Sequence, residues 1–366
     1  MKDFIGKHKS HLVHLLFTVI FAAVLVCFNY LKRSRGLMNS WTRNIMTPVR
    51  QSIASFFSFL PITFAEILWA FGILLLIILL ILFIVKIIKK KWSSLIHTFI
   101  FTVNTLLVIV ILAHATWGAY YYADGFCEQS GIYPQQCTVS QLFALTKYFA
   151  HRANIACTRT ERNPDGTLAL TWEEVLEGSG DKLDPMLDEF PFLDGMMIDA
   201  KPMVSSELWS WMNTTGITFP YTGECLINIR QPICFMPSTV THELSHQRGI
   251  CSEQEANFIA ILSCIRSDDP NYVYSGYLMG YIHLSNALYS VNYDSWAGLY
   301  NALSSNVKAD LRANSAYWQA HTSKVSEAHD KLYDSYLRNY GDELGMQSYG
   351  AVVDLLISYY SDKDIS

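Results

Sequence analysis

Apolar residues crowd into three long stretches near the N-terminus and give way to amphipathic patterning after them. From Ile67 to Val85 every position is apolar or glycine. A run of ~18 or more such residues can cross a bilayer core as a helix, whereas buried helices of soluble proteins are shorter and interrupted. Leu12–Leu31, broken mainly by His14 and Asn29, and Leu95–Tyr120, which carries His97, Asn104 and His114 but no formal charge, read the same way. The pattern predicts three transmembrane helices at about 12–31, 64–86 and 95–120, so that residues 1–122 form a membrane domain whose first partner is the lipid bilayer. The basic start (Lys2, Lys7, Lys9) also suits a signal peptide. The first stretch is longer than a signal core, however, and Cys27-Phe28-Asn29-Tyr30 offers no small-residue cleavage site, so a retained helix is expected. The neutral polar residues of the third stretch are expected to hydrogen-bond to neighbouring helices rather than to form an ion path.

From residue 123 to residue 366 the pattern is that of one mostly helical domain. Leu142, Leu145, Tyr148 and Phe149 recur at helical spacing within Val139–Ala156, and Thr171 ahead of Glu173 and Glu174 starts another helix. The turn Asn163-Pro164-Asp165-Gly166 precedes a short alternating stretch, Thr167–Leu170, that reads as a small strand. Ile217–Phe219 and Cys225–Ile229 are β-prone around the turn Pro220–Gly223 and predict a small sheet. Later helices are expected over Asp294–Val307, Ala313–Asn339 and Ser348–Tyr360.

Charge adds orientation and removes one class of function. The chain has 366 residues, 51% of them hydrophobic, and a net charge of −5. It shows no basic patch, repeat or low-complexity segment, which argues against a nucleic-acid partner. Basic residues at the N-terminus and at Lys86, Lys89, Lys90 and Lys91, with none between the third span and Lys147, place the N-terminus inside and the C-terminal domain outside a plasma membrane. Lys32, Arg33, Arg35, Arg43 and Arg50 in the first connection run against that assignment. Seven of the eight cysteines follow the spans, and the close pairs Cys127/Cys137 and Cys225/Cys234 have the spacing of disulfide-stapled loops in an oxidising compartment, the alternative being reduced thiols.

The segment Thr241-His242-Glu243-Leu244-Ser245-His246 carries the chemistry. Residues four apart share a helix face, so His242 and His246 converge as a tetrahedral Zn2+ requires, and Glu243 is placed to take a proton from water and return it to a leaving amine. Gly249 is suited to end this helix and Ser252 to begin the next. Glu253 is then the nearer candidate for a third ligand, while Glu255 at the third helical position can reach back to the Ser252 amide as a capping box. Asn257, four residues beyond Glu253, can hydrogen-bond a ligand imidazole. The β-prone Asn228 region is a candidate edge strand for an extended peptide. Tyr221, Arg230, Tyr281 and His283 are candidate transition-state donors, with no sequence ground for choosing among them.

His242-Glu243-x-x-His246 followed by Glu253-x-x-Ala256-Asn257 resembles the signature of gluzincin membrane proteases of the CAAX prenyl protease and HtpX type. That resemblance implies a zinc ligand at Glu253 and a histidine-orienting residue at Asn257. The chain departs from those proteases in having Asn rather than Asp and a short gap between motifs. Nearly the whole chain is similar to a bacterial membrane family catalogued as domain of unknown function 3810. The likeness runs through Trp117-Gly118, Lys201-Pro202, Phe219–Glu224, the His242 motif and Ser348–Leu355. The expected fold class is therefore mainly α: three N-terminal transmembrane helices plus a mostly helical, zincin-like metallopeptidase domain with a small β-sheet. The expected activity is hydrolysis of a peptide or protein substrate. Its rival is a catalytically silent peptide- or cell-wall-sensing membrane protein, which would have no need of Glu243.

Overall fold

The computed structural model describes residues 2–339 and 348–363. Helix α1 (Lys2–Leu31) leads into the short helices α2 (Arg35–Trp41) and α3 (Thr47–Phe57), joined by a π-helical turn, and then into α4 (Phe64–Ile88) and α5 (Trp92–Thr116). Leu12–Leu31 of α1 and the whole of α4 and α5 are long and apolar enough to cross a membrane. The third of these starts and stops earlier than its sequence pattern predicts. Gly118–Tyr122 wind into a 3-10 turn with Ala119 and Tyr120 buried, so that the last apolar residues of the pattern serve the domain rather than lipid. Asn104 braces α5 against α1: its Oδ1 accepts from the Thr18 hydroxyl at 2.7 Å and its Nδ2 donates to the His14 carbonyl at 3.0 Å. This is the interhelical role expected of a polar residue in an apolar span.

The basic first connection folds onto the domain. Arg35 pairs with Asp124 at 3.0 Å and Glu128 at 2.5 Å, Arg43 lies 3.3 Å from Asp124, and Arg50 is fully buried with its guanidinium 4.7 Å from the Trp117 ring. These charges answer to carboxylates and rings just beyond α5.

The domain continues with α6 (Phe126–Ser130), α7 (Val139–Cys157), α8 (Trp172–Leu176), β1 (Lys201–Pro202), α9 (Ser206–Trp211), β2 (Gly216–Thr218) and β3 (Cys225–Ile227). Then come α10 (Met236–Gln247), α11 (Glu253–Arg266), α12 (Pro270–Val291), α13 (Tyr293–Asn301), α14 (Ser305–His321), α15 (Lys324–Asn339) and α16 (Ser348–Tyr360). Helix α11 is the axis of the core. Every residue from Ala256 to Cys264 is buried, because α10, α12 and α16 pack around it, and all but Asn257 and Ser263 of that stretch are apolar, as enclosure on several sides requires.

Several expected elements differ in detail. The helix expected over 294–307 is two helices, because the Ser304 hydroxyl accepts the Val307 amide and starts α14 afresh. The next is interrupted in the same way at Thr322–Ser323, where the Ser323 hydroxyl accepts the Ser326 amide. The expected strand at 167–170 is reduced to one bridge between Arg162 and Leu168. In the sheet the order is β1-β3-β2, with β1 parallel and β2 antiparallel to β3. The Cys225–Ile227 strand is therefore central, and the strand with an open edge beside the His242 motif is β2. All eight cysteines are free thiols, so neither expected disulfide is formed.

Two carboxylates fasten α4 to the domain. Glu224, paired with Lys201 at 3.3 Å, accepts the amides of Phe64 at 3.0 Å and Ala65 at 2.9 Å, which are orphan donors of the α4 N-terminus. In return Glu66 of α4 accepts the amides of Val204 and Ser205. The apolar cluster of Ala65, Met203, Trp209, Phe219 and Leu226 fills the space between them.

Candidate active site

Helix α10 turns Met236, Val240 and Leu244 into the core and leaves the His242 face toward a cavity. The helix ends in a Schellman turn. Gly249 adopts φ +95°, Ile250 N–H donates to Ser245 O and Gly249 N–H to His246 O, both at 3.1 Å. The reversal delivers Ile250 so that its carbonyl meets His246 Nδ1 at 2.7 Å, which leaves Nε2 of that ring free to point outward. Helix α11 then starts with Ser252 at the N-cap and Glu253 as its first residue.

His242, His246 and Glu253 come together. The two Nε2 atoms are 3.1 Å apart, and Glu253 oxygens lie 3.2 Å from His242 Nε2 and 3.7 Å from His246 Nε2. A divalent ion bonded at ~2.0–2.1 Å to three donors in a tetrahedral array separates them by ~3.3 Å, which these spacings bracket. The residues fit a metal of zinc's size and ligand preference. Burial disfavours the charged form of His246, but Glu253, Glu243 and the Ile250 carbonyl together outweigh it and raise the imidazole above its ordinary range. Burial also opposes the Glu253 carboxylate, which the two imidazoles hold well below the usual carboxylate value.

Glu243 stands beside them, 4% exposed, and its Oε2 accepts the Thr218 hydroxyl at 2.8 Å while the same hydroxyl reaches its carbonyl at 2.7 Å. Burial pushes its carboxyl upward, against the pull of both imidazoles and Thr218. Gly216 makes room for it: a Cβ there would sit 2.8 Å from Glu243 Cγ and Oε1. Asn228 N–H donates to Thr215 O, and Phe219 N–H to Glu224 O, both at 2.9 Å. Antiparallel alternation thus directs residues 215, 217 and 219 toward β3 and, among the described residues, leaves the backbone groups of Gly216 and Thr218 free on the side that lines the cavity.

The cavity, of about 670 Å³, settles the place of the other predicted residues. Tyr221 lines it; Arg230 is exposed outside it, and Tyr281 and His283 lie elsewhere on α12. Asn257 lines it too, yet no hydrogen bond links it to either imidazole among the described residues, and its Nδ2 and His242 Nδ1 are buried without partners. Glu255 points elsewhere: rather than capping its own helix, it accepts the amides of Phe126 and Cys127 at 2.9 Å each, capping α6. Sequence reading missed Trp69, Trp117, Tyr121 and His329 as cavity residues. Trp117 also places its ring edge-on to His246 at 5.7 Å. A tryptophan at a span end signals an interface in any case, and nothing local marks His329.

The family model described as a protein of unknown function, DUF3810, matches residues 41–357. The chain belongs to the DUF3810 family. The matched DUF3810 region takes in α3, two of the apolar helices and every residue of the site described above. No curated protein and no solved structure gives a match.

Proposed function

We propose that this DUF3810 chain is a membrane-anchored, zinc-dependent metallopeptidase. The observation that carries the reading is the meeting of three metal-type donors with a carboxylate, Glu243, beside an open strand edge in one cavity. His242, His246 and Glu253 would hold the ion, whose Lewis acidity polarises a carbonyl and acidifies water. The free backbone groups of Gly216 and Thr218 pair with an extended peptide as an added strand. Glu243, oriented by Thr218, takes the proton of the attacking water and returns it to the departing amine. His246 keeps the tautomer with a free Nε2 because Ile250 O holds the proton on Nδ1. A protein that only sensed peptides would not need a buried, hydroxyl-oriented base at this position.

The reading puts the catalytic domain on the outer face of the plasma membrane, which the basic cluster Lys86–Lys91 at the opposite ends of α4 and α5 supports. Metal analysis of the purified chain, paired with Glu243→Gln, tests the function. About one zinc per chain in both proteins is expected, with peptide products seen in cells carrying the wild type and absent with the variant. A wild-type chain that neither retains nor takes up zinc rules the reading out.

A further inference from the structure

The walls of the cavity come partly from the membrane helices. Trp69 belongs to the second residue pair of the uninterrupted apolar run that starts at Ile67 in α4, and Ala113 lies three residues before the end of α5. Tyr221, another wall residue, donates its hydroxyl to the Ile109 carbonyl at 3.4 Å, seven residues or ~10 Å inside the end of α5. The floor of the cleft therefore lies level with the beginning of the hydrocarbon layer, not above the headgroups. The surface around the start of α4 is apolar as well. Phe56, Phe59, Val204 and Leu208 are 67%, 72%, 75% and 56% exposed, and the Glu66 carboxylate ties Val204 directly to the first turn of α4. Such a collar, continuous with a spanning helix, is covered by lipid.

We propose that the cleft is fed from the membrane: its substrate is a membrane-tethered polypeptide, cut in the extended segment next to its anchor. This rests on the peptidase reading and names the substrate class. A chain leaving the bilayer beside α4 meets Trp69, then the free edge of β2, then Glu243, without having to enter from bulk water. Aromatic walls at Trp69, Trp117 and Trp209 accept apolar side chains of the kind that flank an anchor.

The test uses the full-length chain in phosphatidylcholine/phosphatidylglycerol liposomes and a randomised peptide library in three forms. One form is soluble, one is joined directly to a single transmembrane helix, and one is joined to the same helix through a ~20-residue Gly/Ser spacer, which keeps surface density equal while moving the library ~25 Å away. The directly joined form is expected to be cut at least ten-fold faster than the spaced form, with cuts within about five residues of the anchor, or ~15 Å of extended chain. Equal cutting of the two anchored forms, or of the soluble form, overturns the proposal. A second readout is independent of turnover. In Glu243→Gln protein of unchanged melting temperature, a photo-crosslinking residue replacing Met212, a cavity wall, is expected to capture the directly joined form at least ten-fold over the spaced form. If nothing is cut but this preference holds, the peptidase reading fails and the membrane-fed cleft stands; no preference in capture overturns the latter.

Discussion

At the scale of single residues, two glutamates two positions apart divide the work. Glu253 faces both imidazoles, while Glu255 caps a helix that begins 129 residues earlier in the chain. Glu253→Ala is expected to lose most bound metal. Glu255→Ala is expected to keep it and to lose about 3 kcal/mol of stability, since two buried amides are stranded at ~1–3 kcal/mol each. Zinc titration and melting temperatures of the two variants check both halves. Gly216→Ala forces a methyl group to within 2.8 Å of the Glu243 carboxylate. The metal should remain while turnover falls about 100-fold, the scale of a 1 Å misplacement of a catalytic group; product profiles at equal zinc occupancy decide it. The pairing of His242 with His246, and the turn at Gly249, were legible because both follow from helix geometry and from glycine's access to positive φ. The partner of Glu255 was not. Its contact with Phe126 and Cys127 spans the chain, and a local capping box satisfied the same residues on paper.

At the scale of elements, the sheet taught the same lesson. The β-prone runs were visible, but strand order depends on which edge α10 leaves open, and that is a tertiary fact. Thus β3 became the centre and β2 the edge. Helix breaks at Ser304 and Ser323 were hidden because serine caps use residues that also occur in helix surfaces. The welding of α4 to the domain by Glu224 and Glu66 rests on backbone amides, which carry no sequence signature. Glu224→Ala strands the Phe64 and Ala65 amides and leaves Lys201 without its carboxylate. It is expected to lower the melting temperature by several degrees, and to speed proteolytic nicking between α3 and α4, while zinc binding at His242, His246 and Glu253, none of which Glu224 touches, is retained. Limited proteolysis with mass mapping of the 58–63 segment reads this out.

At the scale of the whole molecule, the count and place of the apolar helices were plain from the sequence, whereas the fate of the first connection was not. Its basic residues run against an outward domain, and the structure gives two of them, Arg35 and Arg43, partners at Asp124 and Glu128. Free thiols remove the disulfide argument for that side, and burial, with Glu243 adding to it, pushes Cys225 up to about 12, where it is a poor nucleophile. Orientation therefore rests on Lys86–Lys91. Alkaline phosphatase fused after Ser366 is expected to be active, and an inactive fusion would reverse the topology. The first connection has one more consequence, for biogenesis. Arg43 is synthesised 81 residues ahead of Asp124, so at ~5–20 residues per second it is made roughly 4–16 s before its partner. During that interval Arg35 and Arg43 lack the carboxylate they pair with. The continuous helical stretch from α2 to α3 must be held, by the translocation machinery or by the lipid surface, until two more helices have been threaded. The docking of α2 is thus paced by the chain's own third span.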